Sequence, residues 1–132
     1  MVYLKKHHLA EMIAHAREEA PLEACGILAG EEDHVVKLYR ARNVDCSPVS
    51  YRLEPEEQYH IFMDIDNKGW DILGIYHSHP TSPAVPSGID LKQAYYPEAL
   101  YFVVSLADSV QPEVKAFRIV EGEISEEEIA ID

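Results

Sequence analysis

The sequence predicts an α/β fold: a mixed β-sheet with helices on both of its faces. Two segments place apolar residues at helical spacing, Leu9, Met12, Ile13 and Ala16 in one and Tyr59, Phe62 and Ile65 in the other. Several short apolar runs of strand length lie around them, bounded by Gly, Pro, Asp and Asn. Strands and helices alternate along the chain instead of segregating, and alternation places helices against the faces of one sheet.

The elements follow in order. Lys5–Ala20 is the first helix, and Pro21 ends it because proline lacks the amide a helix needs. Cys25–Ala29 and Val35–Tyr39 read as strands joined by Gly30-Glu31-Glu32-Asp33, a hairpin-like turn. Ser50–Leu53 reads as a third short strand. Pro55–Lys68 is the second helix, with Pro55 early, where a missing N–H costs nothing, and Gly69 beyond its end. Ile72–His77 is a strand, a third helix begins near Ser87, and Tyr101–Leu106 and Val114–Val120 are strands before a final segment, Glu123–Ile131. No repeat, linker or low-complexity stretch interrupts the 132 residues, so a single domain spanning 1–132 is expected.

Composition narrows the function classes. The net charge is −13, from 11 basic and 24 acidic side chains. Binding a phosphate backbone depends on neutralising it with Lys and Arg, so a nucleic-acid partner is not expected. The acid gathers at Glu31–Asp33, Glu54–Glu57 and the tail Glu121–Asp132, which reads as a solvated, solubilising surface. No apolar run is long enough to cross a bilayer, and the first residues lack the order of charge and apolar stretch of a signal peptide. A cytoplasmic protein with no membrane partner is expected. Two cysteines, Cys25 and Cys46, then read as reduced thiols, the first a small core side chain and the second exposed. Oligomeric state is open.

The chemistry is concentrated in Gly74–Asp90, which contains His77, His79, Ser87 and Asp90. Two imidazoles and one carboxylate are three good ligands for a borderline-soft cation such as Zn²⁺, and three ligands leave a position for water, the mark of a catalytic rather than a structural site. Residues two apart on a strand share a face, so His77 and His79 project together while Ser78 turns away. Pro80, Pro83, Pro86 and Gly88 then mark a stiff loop that must return Asp90 to the histidines. Ser87 and Asp90 admit a second reading. A serine followed three residues later by an acid is also a helix-capping arrangement that needs no metal. Both readings stand at this point.

The joint spacing H-x-H-x7-S-x2-D resembles the signature of the JAMM (MPN+, or JAB-domain) zinc metalloproteases. The family also carries a glutamate just before a strand near its N-terminus, and Pro21-Leu22-Glu23-Ala24-Cys25-Gly26-Ile27-Leu28 looks like that segment. Asn43-Val44, Ser47-Pro48, Tyr51-Arg52-Leu53, Glu57-Gln58 and Phe117–Gly122 are similar to the compact prokaryotic branch that hydrolyses sulfur-carrier adducts, the CysO-cysteine hydrolases. The resemblance implies a curled mixed sheet flanked by helices, with cytidine-deaminase-like layering. It implies Zn²⁺ held by His77, His79 and Asp90, with Glu23 as general base for the attacking water and Ser87 stabilising the oxyanion. It further implies a ubiquitin-like sulfur-carrier substrate cut between its C-terminal Gly-Gly and cysteine. An isopeptidase removing ubiquitin-like modifiers from lysine, and a non-catalytic MPN scaffold, are the alternatives. The scaffold is disfavoured because all the ligands are present.

The remaining histidines carry no second site. His7, His8 and His15 fall on or beside the first helix, His34 in a turn and His60 in the second helix, and all five read as surface or partly buried structural residues.

Overall fold

A computed structural model describes residues 1–132. The chain runs β1 (Val2–Leu4), α1 (Lys6–Glu19), β2 (Cys25–Glu31), β3 (His34–Ala41), α2 (Pro55–Asn67), β4 (Asp71–His79), α3 (Gly88–Lys92), β5 (Leu100–Ser105), β6 (Glu113–Val120), β7 (Glu123–Glu127) and β8 (Ile129–Ile131). The strands form one sheet in the order β7-β6-β5-β4-β2-β3-β1-β8. β4 and β5 pair in parallel, as do β1 with β3 and with β8, and the other neighbours are antiparallel. The predicted mixed sheet is therefore present.

The sheet must curl. β7 and β8 lie at opposite ends of the strand order, yet only Glu128 separates them in the chain. A flat sheet of this many strands would set its edges roughly 34 Å apart at about 4.8 Å per strand. The Cα atoms flanking one intervening residue are at most about 7 Å apart. Rolling the sheet removes the conflict. The Val2 amide donates to the Glu128 carbonyl at 2.9 Å, and the N-terminal ammonium pairs with the Glu127 carboxylate across the seam.

Each face has its own core. On one face α1 lays Met12 and Ala16 against Leu28, Tyr76, Phe102 and Val104. On the other, α2 lays Ile61 and Ile65 against Ile27, Ile75, Tyr101 and Val103. β4 alternates between the two, with Ile75 on the α2 side and Tyr76 on the α1 side. His77 and His79 therefore belong to the α2 side and Ser78 to the α1 side. Gly26, opposite Tyr76 in the register, is required here: a Cβ would come within 2.2 Å of the Tyr76 ring. α2 begins where Glu54 caps it, its carboxylate accepting from the Glu56 and Glu57 amides at 3.2 and 2.6 Å.

Three expectations change. Ser50–Leu53 is not a strand and makes only one bridge, Leu53 to Asn43. The Asn43 side chain takes up that segment's backbone instead, its Oδ1 accepting from the Asp45 and Arg52 amides at 3.0 Å each. The final segment divides at Glu128 into β7 and β8, and β8 pairs with β1, three residues too short to show a period. His8 and His15 are buried, each 4% exposed, because both face the sheet from α1. His34 opens β3 and His60 is exposed on α2.

No helix is long and apolar enough to cross a membrane.

Candidate active site

β4 brings His77 and His79 to one face, with their Nε2 atoms 3.2 Å apart. The loop after β4 then folds back. His79 Nδ1 donates to the Pro83 carbonyl at 2.8 Å, and Ala84 and Pro86 are buried. That bond commits the Nδ1 proton and leaves the Nε2 lone pair facing inward. Asp90 enters from the first turn of α3, its Oδ2 at 3.0 Å from both Nε2 atoms.

Both sequence readings of Ser87 and Asp90 meet in this turn. Ser87 is the N-cap of α3, its Oγ accepting from the Asp90 amide at 3.1 Å. The Ser87 amide in turn donates to Asp90 Oδ2 at 2.8 Å. The capping box is thus the device that aims the Asp90 carboxylate at the histidines. Acting as a cap uses one Ser87 lone pair and leaves its hydroxyl proton free.

The surroundings set the charge states. Burial disfavours ionised Asp90, but its close contacts with the His77 and His79 imidazoles and the hydrogen bond from the Ser87 amide outweigh it and hold the carboxyl far below its usual range. Burial pushes the His77 pKa down. His79 is also opposed by burial, yet Asp90 and the Pro83 carbonyl carry its pKa upward. The Tyr51 ring stacks on His77 with centroids 4.5 Å apart and planes 14° apart, closing that side of the imidazole to water.

Glu23 reaches the site from the residues before β2. The β2–β4 register sets Cys25 opposite His77. Beyond it, Ala24 is clamped by Ser78: its amide donates to Ser78 Oγ at 2.7 Å, and its carbonyl accepts from the Ser78 amide at 3.0 Å. Asn43 Nδ2 donates to the Glu23 carbonyl and to the Ser50 carbonyl, each at 3.0 Å. The Glu23 side chain is only 2% exposed, and its Oε1 has no hydrogen-bond partner. Burial pushes its pKa up to about 8; His79 opposes the shift and Asp90 adds to it.

The donor set fits a tetrahedral cation. The three converging atoms form a nearly equilateral triangle with sides of 3.0, 3.0 and 3.2 Å. Ligands at about 2.0–2.1 Å from a tetrahedral zinc would stand roughly 3.3 Å from one another. His77, His79 and Asp90 are buried and together form a group able to hold a metal ion. The buried, partnerless Glu23 Oε1 lies on the same cleft, an open space of about 420 Å³ whose walls include His79, Ser87, Val49, Ile89 and Lys92.

Neither cysteine belongs to the chemistry. Cys25 is wholly buried, and burial pushes its thiol up to about 12, too high for a thiolate at neutral pH. Cys46 is exposed and hydrogen-bonded only to the Asn43 carbonyl.

The sequence profile described as prokaryotic homologues of the JAB domain matches residues 5–120. The chain belongs to this family. It is similar to the CysO-cysteine peptidase of Mycobacterium tuberculosis, 38% identical over 122 residues, covering 91% of this chain and 84% of the relative. It is also similar to the desampylase of Haloferax volcanii, 42% identical over 101 residues, covering 71% and 73% respectively. The solution structure of a Desulfitobacterium hafniense protein superposes with a TM-score of 0.92 at 40% identity, covering all of this chain and 93% of that one. As a JAB-domain protein of this kind the chain is an enzyme, a hydrolase.

Of the five residues singled out from the sequence, His77, His79 and Asp90 converge, and Glu23, His79 and Ser87 line the cleft. Tyr51 and Asn43 were missed as site residues. Both stand in stretches that carry the family resemblance, but stacking and a carbonyl clamp leave no local pattern.

Proposed function

We propose that this protein is a zinc peptidase that hydrolyses the bond between the C-terminal Gly-Gly of a ubiquitin-like sulfur-carrier protein and cysteine, releasing cysteine. The observation that carries the reading is the triangle of His77, His79 and Asp90 donor atoms beside a buried, partnerless Glu23 carboxyl. His77 and His79 through Nε2, and Asp90 through Oδ2, would hold the metal. When bound, zinc supplies Lewis acidity and brings the pKa of water from 15.7 to about 7.

The chain's own groups carry the protons and the charge. Glu23 takes a proton from the attacking water and delivers it to the departing amine, a shuttle for which a carboxyl pushed up to about 8 is well matched near neutral pH. The Ser87 hydroxyl, its proton uncommitted by capping, donates to the carbonyl oxygen as negative charge collects there. Pro83 and Tyr51 keep the two imidazoles in place. Val49 and Ile89, 61% and 41% exposed, give the cleft an apolar rim past which a tail without side chains can thread. The mycobacterial relative's name supports cysteine as the leaving group. The desampylase relative supports a second reading, an isopeptidase acting on lysine conjugates.

Intact-mass analysis separates the two. A sulfur carrier ending in Gly-Gly-Cys and a Gly-Gly-lysine isopeptide are each incubated with zinc-loaded protein, with and without a chelator. Chelator-sensitive loss of cysteine alone is the expected result. Cleavage of only the isopeptide reverses the assignment, and no cleavage of either rejects both.

A further inference from the structure

Lys92 stands out among the cleft residues. It is the one lysine or arginine on the cleft that also holds Glu23, His79 and Ser87. The molecule's charge is −13, and its lysines mostly find acids: Lys5, Lys37, Lys68 and Lys115 each lie within ion-pair distance of a carboxylate. Lys6 and Lys92 pair with none, although acids outnumber bases more than twofold, and of these two only Lys92 lies on the cleft.

The backbone directs this side chain toward the chemistry. Side chains on a helix tilt toward its N-terminus and lie over the residue four positions earlier. For Lys92 that residue is Gly88, which lines the same cleft. Lys92 thus shares the cleft with Ser87, at the end of α3 from which Asp90 joins the histidines.

From this placement we infer that Lys92 binds the α-carboxylate of the residue being released, so that this cleft prefers a free C-terminus over a lysine side-chain conjugate. The inference rests on the peptidase reading above. Its chemistry is specific. When the leaving group is a C-terminal amino acid, a carboxylate sits one carbon away from the amine that departs. When it is a lysine side chain, the same position holds a methylene. The carboxylate is thus a charge that only the C-terminal leaving group carries, and an ammonium without an acid partner on the cleft favours it.

The test uses carriers ending in Gly-Gly-Cys, made once as the free acid and once as the C-terminal amide, with a Gly-Gly-lysine isopeptide beside them. Wild-type protein should prefer the acid by about tenfold in kcat/KM, the range of a charge-assisted hydrogen bond. Lys92→Met should bring the acid-to-amide ratio close to one, mainly through KM, and Lys92→Arg should keep the preference. A second readout needs no turnover: NMR titration of zinc-loaded Glu23→Gln protein with the peptide Gly-Gly-Ser, acid against amide, with and without Lys92→Met. A cation merely complementing the end of α3 would alter stability and leave these ratios alone. Equal ratios for wild type and Lys92→Met while cysteine is still released overturn the inference and leave the peptidase reading intact. Isopeptide cleavage alone, with no acid preference in the titration, overturns both. A Lys92-dependent acid preference in the titration without cysteine release supports the carboxylate site and rejects the peptidase reading.

Discussion

Ser87→Ala separates the cap that this hydroxyl provides from the oxyanion role proposed for it. As N-cap, Ser87 Oγ accepts from the Asp90 amide at 3.1 Å, and losing such a cap costs about 1 kcal/mol. For a chain of this size that is a fall of about 4 °C in Tm. As oxyanion donor the same group is assigned a catalytic role, and removing such a donor costs a factor of about 10²–10³ in kcat, or ~2.7–4 kcal/mol. The residues proposed to hold the metal should stay aimed, because the 2.8 Å bond to Asp90 Oδ2 comes from the Ser87 backbone amide, which alanine retains. The expected variant therefore binds zinc stoichiometrically, is slightly less stable, and turns over at least a hundredfold more slowly. Ser87→Gly sharpens the test, since glycine caps within a few tenths of a kcal/mol of serine but has no hydroxyl. It should recover most of the Tm and none of the rate, whereas Ser87→Thr should recover both. The assay is steady-state cleavage of the cysteine adduct, with zinc content and Tm measured on the same preparations. An alanine variant with kcat within threefold of wild type would refute the oxyanion role. Loss of zinc in step with activity would show that Ser87 acts only by orienting Asp90.

Further outcomes are expected. Chelation of the zinc-loaded protein should abolish cleavage and lower Tm, with both restored by zinc, and His79→Ala should purify without stoichiometric metal, as elemental analysis would report. Asn43→Asp keeps the acceptor for the Asp45 and Arg52 amides but removes the donors to the Glu23 and Ser50 carbonyls. Loss of those two bonds should cost about 2 kcal/mol in denaturant unfolding. With the Glu23 carbonyl released and only its amide still bonded, to the Ser47 carbonyl, kcat should fall while zinc content stays unchanged. His15 is buried beneath α1, hydrogen-bonded to the Tyr76 hydroxyl at 2.7 Å, and its pKa is lowered by burial first and by Arg40 second. Its neutral form is favoured on folding, so the unfolded chain binds the proton more readily. Its contribution to stability is thus complete above the ordinary histidine pKa of 6.5 and is lost as pH falls from there through the lowered folded value. Unfolding midpoints should drop between pH 7.5 and 5.5, and His15→Gln should flatten that slope; an unchanged slope would assign the acid sensitivity to other groups.

Much of the site was legible because its grammar is local. A period of two on β4 places His77 and His79 on one face, and the Ser87–Asp90 spacing writes a helix start. Both follow from backbone geometry within a few residues, and the alternation of apolar runs likewise foretold the mixed sheet. Short elements were less visible. β1 and β8 have three residues each, too few to display a period, and Ser50–Leu53 has the composition of a strand but bonds to an asparagine side chain.

By itself the sequence determined the candidate His-His-Asp group, the longer helices and strands and the excess of acid, since each depends on neighbours in the chain. Only the tertiary structure decided that Glu23 stands at the same cleft, through the pairing of β2 with β4 and the clamp of Ser78 on Ala24. It alone decided that Tyr51 stacks on His77, that Lys92 faces the cleft without an acid partner, and that the sheet curls to join β7 to β8. These are contacts between residues distant in sequence, set by register and packing of whole elements, and no local pattern encodes a register until both strands are in place.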